Sequence, residues 1–136
     1  MSNKIEQTLV LIKPDAIERG LEDKIIDIYI HNGLTIKKMK KIQATKELAE
    51  EHYIEHKDKP YFKELTDYIM RTPIIAMILE GEDAISRVRK INGKTNPKEA
   101  GEGTIRHMFA LSKNENSVHA SDSQDSANRE INIWFK

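Results

Sequence analysis

The residues best suited to chemistry are one histidine, in Asn116-Ser117-Val118-His119-Ala120-Ser121-Asp122-Ser123, and a scattered set of cations and small polar groups: Lys13, Arg89, Thr95, Arg106 and Asn116. A neutral imidazole, with an unperturbed pKa of about 6.5, is available as a nucleophile at neutral pH. Together these residues supply three cations, a hydroxyl, an amide and a nucleophile. Phosphoryl transfer needs that combination, because its loose transition state spreads negative charge over peripheral oxygens and catalysis is mostly positioning plus cationic stabilisation. A lone histidine is more often a surface or satisfied core residue, and a lysine at a strand end commonly snorkels to solvent, so no member of the set carries the assignment alone. The chain has no Gly-rich Walker loop and no kinase-type HRD or DFG motif, which removes the ordinary ATP-binding solutions.

These residues must be positioned by alternating strands and helices. Thr8 to Ile12 is a β-branched apolar run that suits a central strand, with Pro14 stopping the ladder and Lys13 left at the strand end. Leu21, Ile25, Ile28 and Tyr29 have helical spacing and close at Gly33, and Leu34 to Ile42 reads as a second strand with Lys37, Lys38, Lys40 and Lys41 on a solvated face. Thr45 caps one helix and Pro60 opens another, forming a hairpin, and Ile74 to Leu79 is a buried strand. Asp83 starts a helix ending at Gly93, after which a long Gly/Glu loop leads to Gly103-Thr104-Ile105-Arg106. His119 then sits on a short strand, and Ser121-Asp122-Ser123 caps a last helix carrying Ala127, Ile131 and Trp134 on one face. His52 and His56 are four apart, as a helical metal pair would be, but no glutamate follows His52 and no third ligand is evident, so the metal reading is set aside. The order of elements fits an α+β fold, an antiparallel sheet with helices on one face in the ferredoxin-like plan, with an added helical hairpin and C-terminal helix.

With 136 residues and 38% hydrophobic content, the chain is expected to form a single domain over 1–136. Twenty-two Lys plus Arg balance 22 Asp plus Glu, so no global field draws it to nucleic acid or an anionic membrane. It has no signal-type leader and no apolar run near the roughly 18 residues that span a bilayer, so a soluble, cytoplasmic protein is expected. The absence of cysteine excludes disulfides and zinc–thiolate sites.

Taken in order, the segments TLVLIKPDAIERGL, HYIEHKDKPYF, KTNP, GTIR and NSVHASDSQDSANREINIWF resemble the nucleoside diphosphate kinase family in its short, bacterial-type form. The resemblance covers nearly the whole chain. It implies transfer of the γ-phosphate of a nucleoside triphosphate to a nucleoside diphosphate, by a ping-pong mechanism with low base and sugar selectivity. His119 would be the phosphohistidine, through Nδ1, and Glu130 would orient its ring. Arg89, Thr95 and Arg106 would contact phosphates, Lys13 and Asn116 would lie near the sugar 3′-hydroxyl with Lys13 also reaching the phosphoryl, Tyr53 would lie behind Lys13 and the histidine, and Phe62 would stack on the base. Mg²⁺ would ride on the nucleotide phosphates, with no metal ligands on the protein, and the assembly would be a homo-oligomer, tetramer or hexamer. Three features depart from the family pattern: Ala120 where many members have glycine, His107-Met108 after Gly-Thr-Ile-Arg, and Lys113 where an apolar wall often faces the base. An interaction module without turnover on the same fold, and an RNA-binding ferredoxin-like domain, are the alternatives from other classes. The second lacks the aromatic sheet motif with which such modules stack bases.

Overall fold

A computed structural model describes residues 4–113 and 115–135. Four strands, β1 (Ile5–Ile12), β2 (Thr35–Ile42), β3 (Ile74–Glu82) and β4 (Val118–Ala120), form one antiparallel sheet in the order β2-β3-β1-β4. Seven helices accompany them among the described residues: α1 (Pro14–Glu18), α2 (Glu22–His31), α3 (Lys46–His52), α4 (Phe62–Ile69), α5 (Ala84–Asn92), α6 (Ile105–Phe109) and α7 (Gln124–Trp134). No helix among the described residues is long and apolar enough to cross a membrane.

The sheet is apolar on both faces because successive side chains of β1 and β3 point to opposite sides. Val10, Ile12, Met77 and Leu79 pack with Ile25 and Tyr29 of α2, Val88 of α5 and Ile105 of α6. Leu9, Leu11, Ile74 and Ala76 pack with Ala49 of α3, Ile69 of α4 and Ile133 and Trp134 of α7. The first layer is the ferredoxin-like half, and the hairpin and C-terminal helix cover the second face. The Thr45 and Ser123 side chains accept from Leu48 N–H and Ser126 N–H, capping α3 and α7 as their sequences predict.

Three local features differ from the expectation. Pro14 does end β1, but it also opens α1, where a proline at the first turn has no N–H to leave unpaired. Thr104 caps α6, so the long loop after α5 closes on a helix too short to show periodicity. Asp83 begins α5 in the left-handed region at φ 51° and makes no side-chain cap; Glu6 of β1 accepts instead from Ile85 N–H at 3.1 Å.

Candidate active site

β4 has only three residues, paired Val118 to Ile12, His119 to Leu11 and Ala120 to Val10. Residues directly opposite share a face, so His119 projects to the side of Leu11, α3 and α7. There its Nε2 lies 2.8 Å from Glu130 Oε1, and Ser121 Oγ donates to the same oxygen at 2.7 Å. Burial pushes the Glu130 carboxyl up, but the His119 and Ser121 hydrogen bonds and the Arg129 charge together hold it below the usual glutamate range. A buried carboxylate facing Nε2 places the ring proton there and leaves the lone pair on Nδ1. His52 packs edge-on against this ring, centroids 4.6 Å apart, and its Nδ1 accepts from Trp134 Nε1 at 3.1 Å. Burial first, then the charges around it, drives the His52 pKa well below the ordinary value, so it is neutral and carries its proton on Nε2. His52, His119 and Glu130 offer ligand atoms within 4.8 Å of one another. Nδ1 of His52 and Nε2 of His119 are committed to hydrogen bonds with Trp134 and Glu130, so His119 is oriented by a carboxylate bond on one side and an edge-on ring packed against it on the other.

The segment leading into β4 is strained. Ser117 has φ 72°, and Val118 N–H bonds to Asn116 C=O at 2.8 Å, a γ-turn of the rare positive-φ kind. Asp15 restrains it: its carboxylate accepts from Ser117 N–H at 3.1 Å and Ser117 Oγ at 2.9 Å, and also from Tyr68 Oη and Arg19. Strain held by so many bonds beside a candidate nucleophile is characteristic of functional sites.

Lys13, at the end of β1, is buried and donates from Nζ to Asn116 Oδ1 at 3.0 Å. Burial first, then the Arg106 charge, lower its pKa to about 7 against the opposing pull of Asp15. Asn116 is fixed in turn, its Nδ2 donating to the carbonyls of Thr95 and Lys113 at 3.3 and 3.1 Å. Arg106 bridges two elements, Nη1 to Gly93 C=O at 2.7 Å and Nη2 to Val118 C=O at 2.8 Å, and burial lowers its pKa. Arg89, Thr95, Arg106 and His119 line one cleft of about 1060 Å³, to which Lys90, Lys94 and Lys113 add charge. Tyr53 lines a smaller recess of about 150 Å³ that shares His56, His119, Ala120 and Asp122 with the cleft, and its hydroxyl has no hydrogen-bond partner among the described residues.

A sequence model of the nucleoside diphosphate kinase family matches residues 6–136. The chain belongs to this family. It is similar to nucleoside diphosphate kinases of Clostridium perfringens, 58% identical over 132 residues that cover 97% of this chain and 92% of the relative, and of Pyrococcus abyssi, 53% identical over 137 residues covering 98% and 86%. Its fold is similar to a crystal structure of the Aquifex aeolicus nucleoside diphosphate kinase, with a TM-score of 0.95, 43% identity and coverage of 98% and 96%. It is accordingly a phosphotransferase acting on nucleotides.

Of the residues expected to bind the substrate, Arg89, Thr95 and Arg106 line the cleft, while Lys13, Asn116 and Phe62 do not. Phe62, the first residue of α4, is half-buried and packs against the core cluster that contains Leu9, Leu11 and Ile69, and it does not line the cleft. Its neighbour Tyr61 is 40% exposed, and the Tyr61 hydroxyl lies 3.0 Å from Nδ1 of His56, which lines the cleft. The aromatic pair Tyr61-Phe62 offers one ring to solvent and one to the core, and only the helix phase distinguishes them. Of the departures, Lys113 lines the cleft, His107 Nδ1 lies 3.1 Å from Ala100 C=O, and Met108 is exposed. Asp15, Ser117, Ser121, His52 and Trp134 were not legible as site residues. Asp15 had a signal, since an acid two residues after Lys13 and across a proline lies within reach of the same strand end.

Proposed function

We propose that the chain, as a single domain over 1–136, transfers the γ-phosphoryl of a nucleoside triphosphate to a nucleoside diphosphate in two displacements through His119. In the first, the Nδ1 lone pair attacks the γ-phosphorus, the bond to the β-γ bridging oxygen breaks, and the diphosphate leaves. In the second, a terminal oxygen of another nucleoside diphosphate attacks the phosphorus and the N–P bond breaks, restoring the imidazole. The observation that carries this reading is the His119 Nε2 to Glu130 bond of 2.8 Å, which leaves Nδ1 as the nucleophilic atom.

Glu130 stabilises the positive charge that develops on the ring as Nδ1 attacks. Arg106, Arg89 and Thr95 face the cleft as phosphate partners, where cations aimed at the migrating group are worth most because charge collects there in the transition state. Lys13 reaches the transferred phosphoryl and, with Asn116, the sugar hydroxyl; the Tyr53 hydroxyl is the remaining donor beside the ring. Stacking of the base is assigned to Tyr61 in place of Phe62. Stacking alone accepts every base, so low base selectivity follows.

Five cations line the cleft, Arg89, Lys90, Lys94, Arg106 and Lys113, against two carboxylates, Glu99 and Asp122, which suits a triphosphate that brings its own Mg²⁺. The substrate is therefore the magnesium complex of the nucleotide. A homo-oligomer, tetramer or hexamer, in the cytoplasm completes the reading.

The test is incubation with γ-labelled ATP and Mg²⁺ without acceptor. Label should reach His119, survive alkali, be lost in acid, and pass to any added nucleoside diphosphate, with parallel double-reciprocal plots. Intersecting plots, or full activity in His119→Ala, would overturn it.

A further inference from the structure

We infer that a buried hydrogen bond between Tyr29 and Asn92 is a positioning device for the Arg106 guanidinium. This rests on the proposal that Arg106 stabilises the transferred phosphoryl. Tyr29 on α2 and Asn92 at the end of α5 are 0% and 1% exposed, and the phenol donates to Asn92 Oδ1. Tyr29 sits in a layer otherwise built from apolar side chains, among them Ile25, Val88 and Ile105, and Asn92 stands where that layer meets the cleft, which it also lines. A polar pair in such a layer gains little net stability, since desolvation offsets most of the bond. It does fix direction, which apolar packing does less sharply. Burial pushes the Tyr29 phenol pKa up against the opposing Arg106 charge and Asn92 bond, so the hydroxyl keeps its proton and remains the donor.

The consequence passes along the chain by one peptide. Gly93 follows Asn92 with φ 87°, and a Cβ there would meet Thr104 Oγ1 at 2.6 Å, so the backbone at the end of α5 lies tight against the cap of α6. The Gly93 carbonyl, oriented by that backbone, holds Arg106 Nη1 at 2.7 Å. The other anchor, Val118 C=O, belongs to the residue before His119. Arg106 is thus suspended between the end of α5 and the strand that carries the nucleophile. Its Nε has no partner among the described residues, so these two carbonyls set its plane. Asn92 Nδ2 also has none, so the Tyr29 bond is the side-chain bond that orients this amide. Gly93 N–H still bonds to Arg89 C=O at 3.0 Å, so losing the Tyr29 bond loosens the Asn92 side chain and its seat at the end of α5, and the Gly93 carbonyl shifts with the guanidinium it holds.

The experiment compares Tyr29→Phe, Tyr29→Phe/Asn92→Leu and Arg106→Ala by steady-state kinetics, rate of phosphohistidine formation in a single turnover, and thermal melting. Tyr29→Phe should lower kcat and the phosphorylation rate about tenfold, with KM for nucleotides within about twofold, because a small misplacement of a group that acts in the transition state costs rate more than binding. The double variant replaces both polar partners by apolar groups of similar shape, removing the unsatisfied amide, and should regain most of the melting temperature. It should stay about as slow as Tyr29→Phe, since apolar packing restores stability and not the direction that the hydrogen bond gave. Unchanged kcat in Tyr29→Phe with a lowered melting temperature would reduce the pair to core stability and overturn the inference, as would a double variant that recovers the parent rate along with the parent melting temperature. Arg106→Ala separates the two layers of argument: full activity there removes Arg106 from the reaction, whereas a strong loss alongside a fast Tyr29→Phe refutes only the positioning role.

Discussion

Nucleotide binding at pH 8 is expected to draw about one proton from solution, with Lys13 as its destination. In the free protein, burial and the Arg106 charge bring this ammonium down to about 7, so at pH 8 only about a tenth of it is charged. Phosphate oxygens placed against Nζ supply the opposite charge that burial withheld and should return the pKa to about 10. The difference is an uptake of about 0.9 proton at pH 8 and about 0.5 at pH 7. Titration calorimetry of a non-transferable triphosphate analogue, in buffers of contrasting ionisation enthalpy, counts these protons from the slope of the observed heat. Lys13→Met, which keeps the alkyl stem, is the reference. An equal slope in parent and Lys13→Met at pH 8 would refute the argument. Stability carries the same signature with a definite sign. The folded pKa lies below the unfolded one, so the unfolded chain binds more protons between about pH 7 and 10.5, and the cost of the buried ammonium, fully present below 7, is released as pH rises. A drop from 10.5 to about 7 corresponds to on the order of 5 kcal/mol at most. Lys13→Met leaves Asn116 Oδ1 without its donor, worth about 1–3 kcal/mol. The variant should therefore be inactive yet melt above the parent at pH 6, by a margin that shrinks toward pH 10.

Glu130→Gln keeps the shape of the ring's partner but removes its charge, so phosphohistidine formation should slow on the order of 10²-fold, measured in a single turnover; an unchanged rate would remove Glu130 from the mechanism. Tyr61→Ala should weaken nucleotide binding by about 1–3 kcal/mol for all bases. Phe62→Ala should chiefly lower the melting temperature, by the loss of about 1–3 kcal/mol of packing; the reverse pattern would restore Phe62 to the base site. Lys113→Ala should leave the ranking of adenine, guanine, cytosine, uracil and thymine diphosphates nearly unchanged in kcat/KM, and a guanine-specific loss would identify Lys113 as a reader of base carbonyls.

The long apolar runs of β1 and β3 and the caps at Thr45 and Ser123 were legible because each has a local cause: alternation on a buried sheet, or a side-chain oxygen at a helix start. α1 and α6 were not, since five residues span little more than one turn and show no periodicity. At the site, Lys13, Asn116, Arg106 and His119 stood out by type and order. The exchange of Tyr61 for Phe62 could not be read, because two adjacent aromatics differ only in the phase of the helix they begin. Asp15 and His52 were hidden for a different reason. Their roles depend on contacts with Ser117 and Trp134, separated from them by 102 and 82 positions, which no local pattern encodes.

Those distant contacts explain why a three-residue edge strand can hold a nucleophile in place. β4 pairs with β1 over Val118 to Ala120, with one further bond from Ser121 N–H to Leu9 C=O at 3.1 Å, too short a ladder to resist slipping by itself. Its register is secured at the entrance, where Lys13 N–H bonds to Ser117 C=O at 2.9 Å, Lys13 Nζ to Asn116 Oδ1 at 3.0 Å, and Ser117 N–H to Asp15 at 3.1 Å. The turn at Ser117 brings its N–H and C=O to residues of the same short segment, and its positive φ is the cost of doing so. A relaxed backbone at Ser117 would release one of these bonds, and a one-residue slip would send His119 to the opposite face, away from Glu130. The Lys13-Pro14-Asp15 and Asn116-Ser117-Val118-His119 segments are therefore two halves of one clamp, whose hydrogen bonds hold the strained turn and keep the imidazole on the side of its carboxylate.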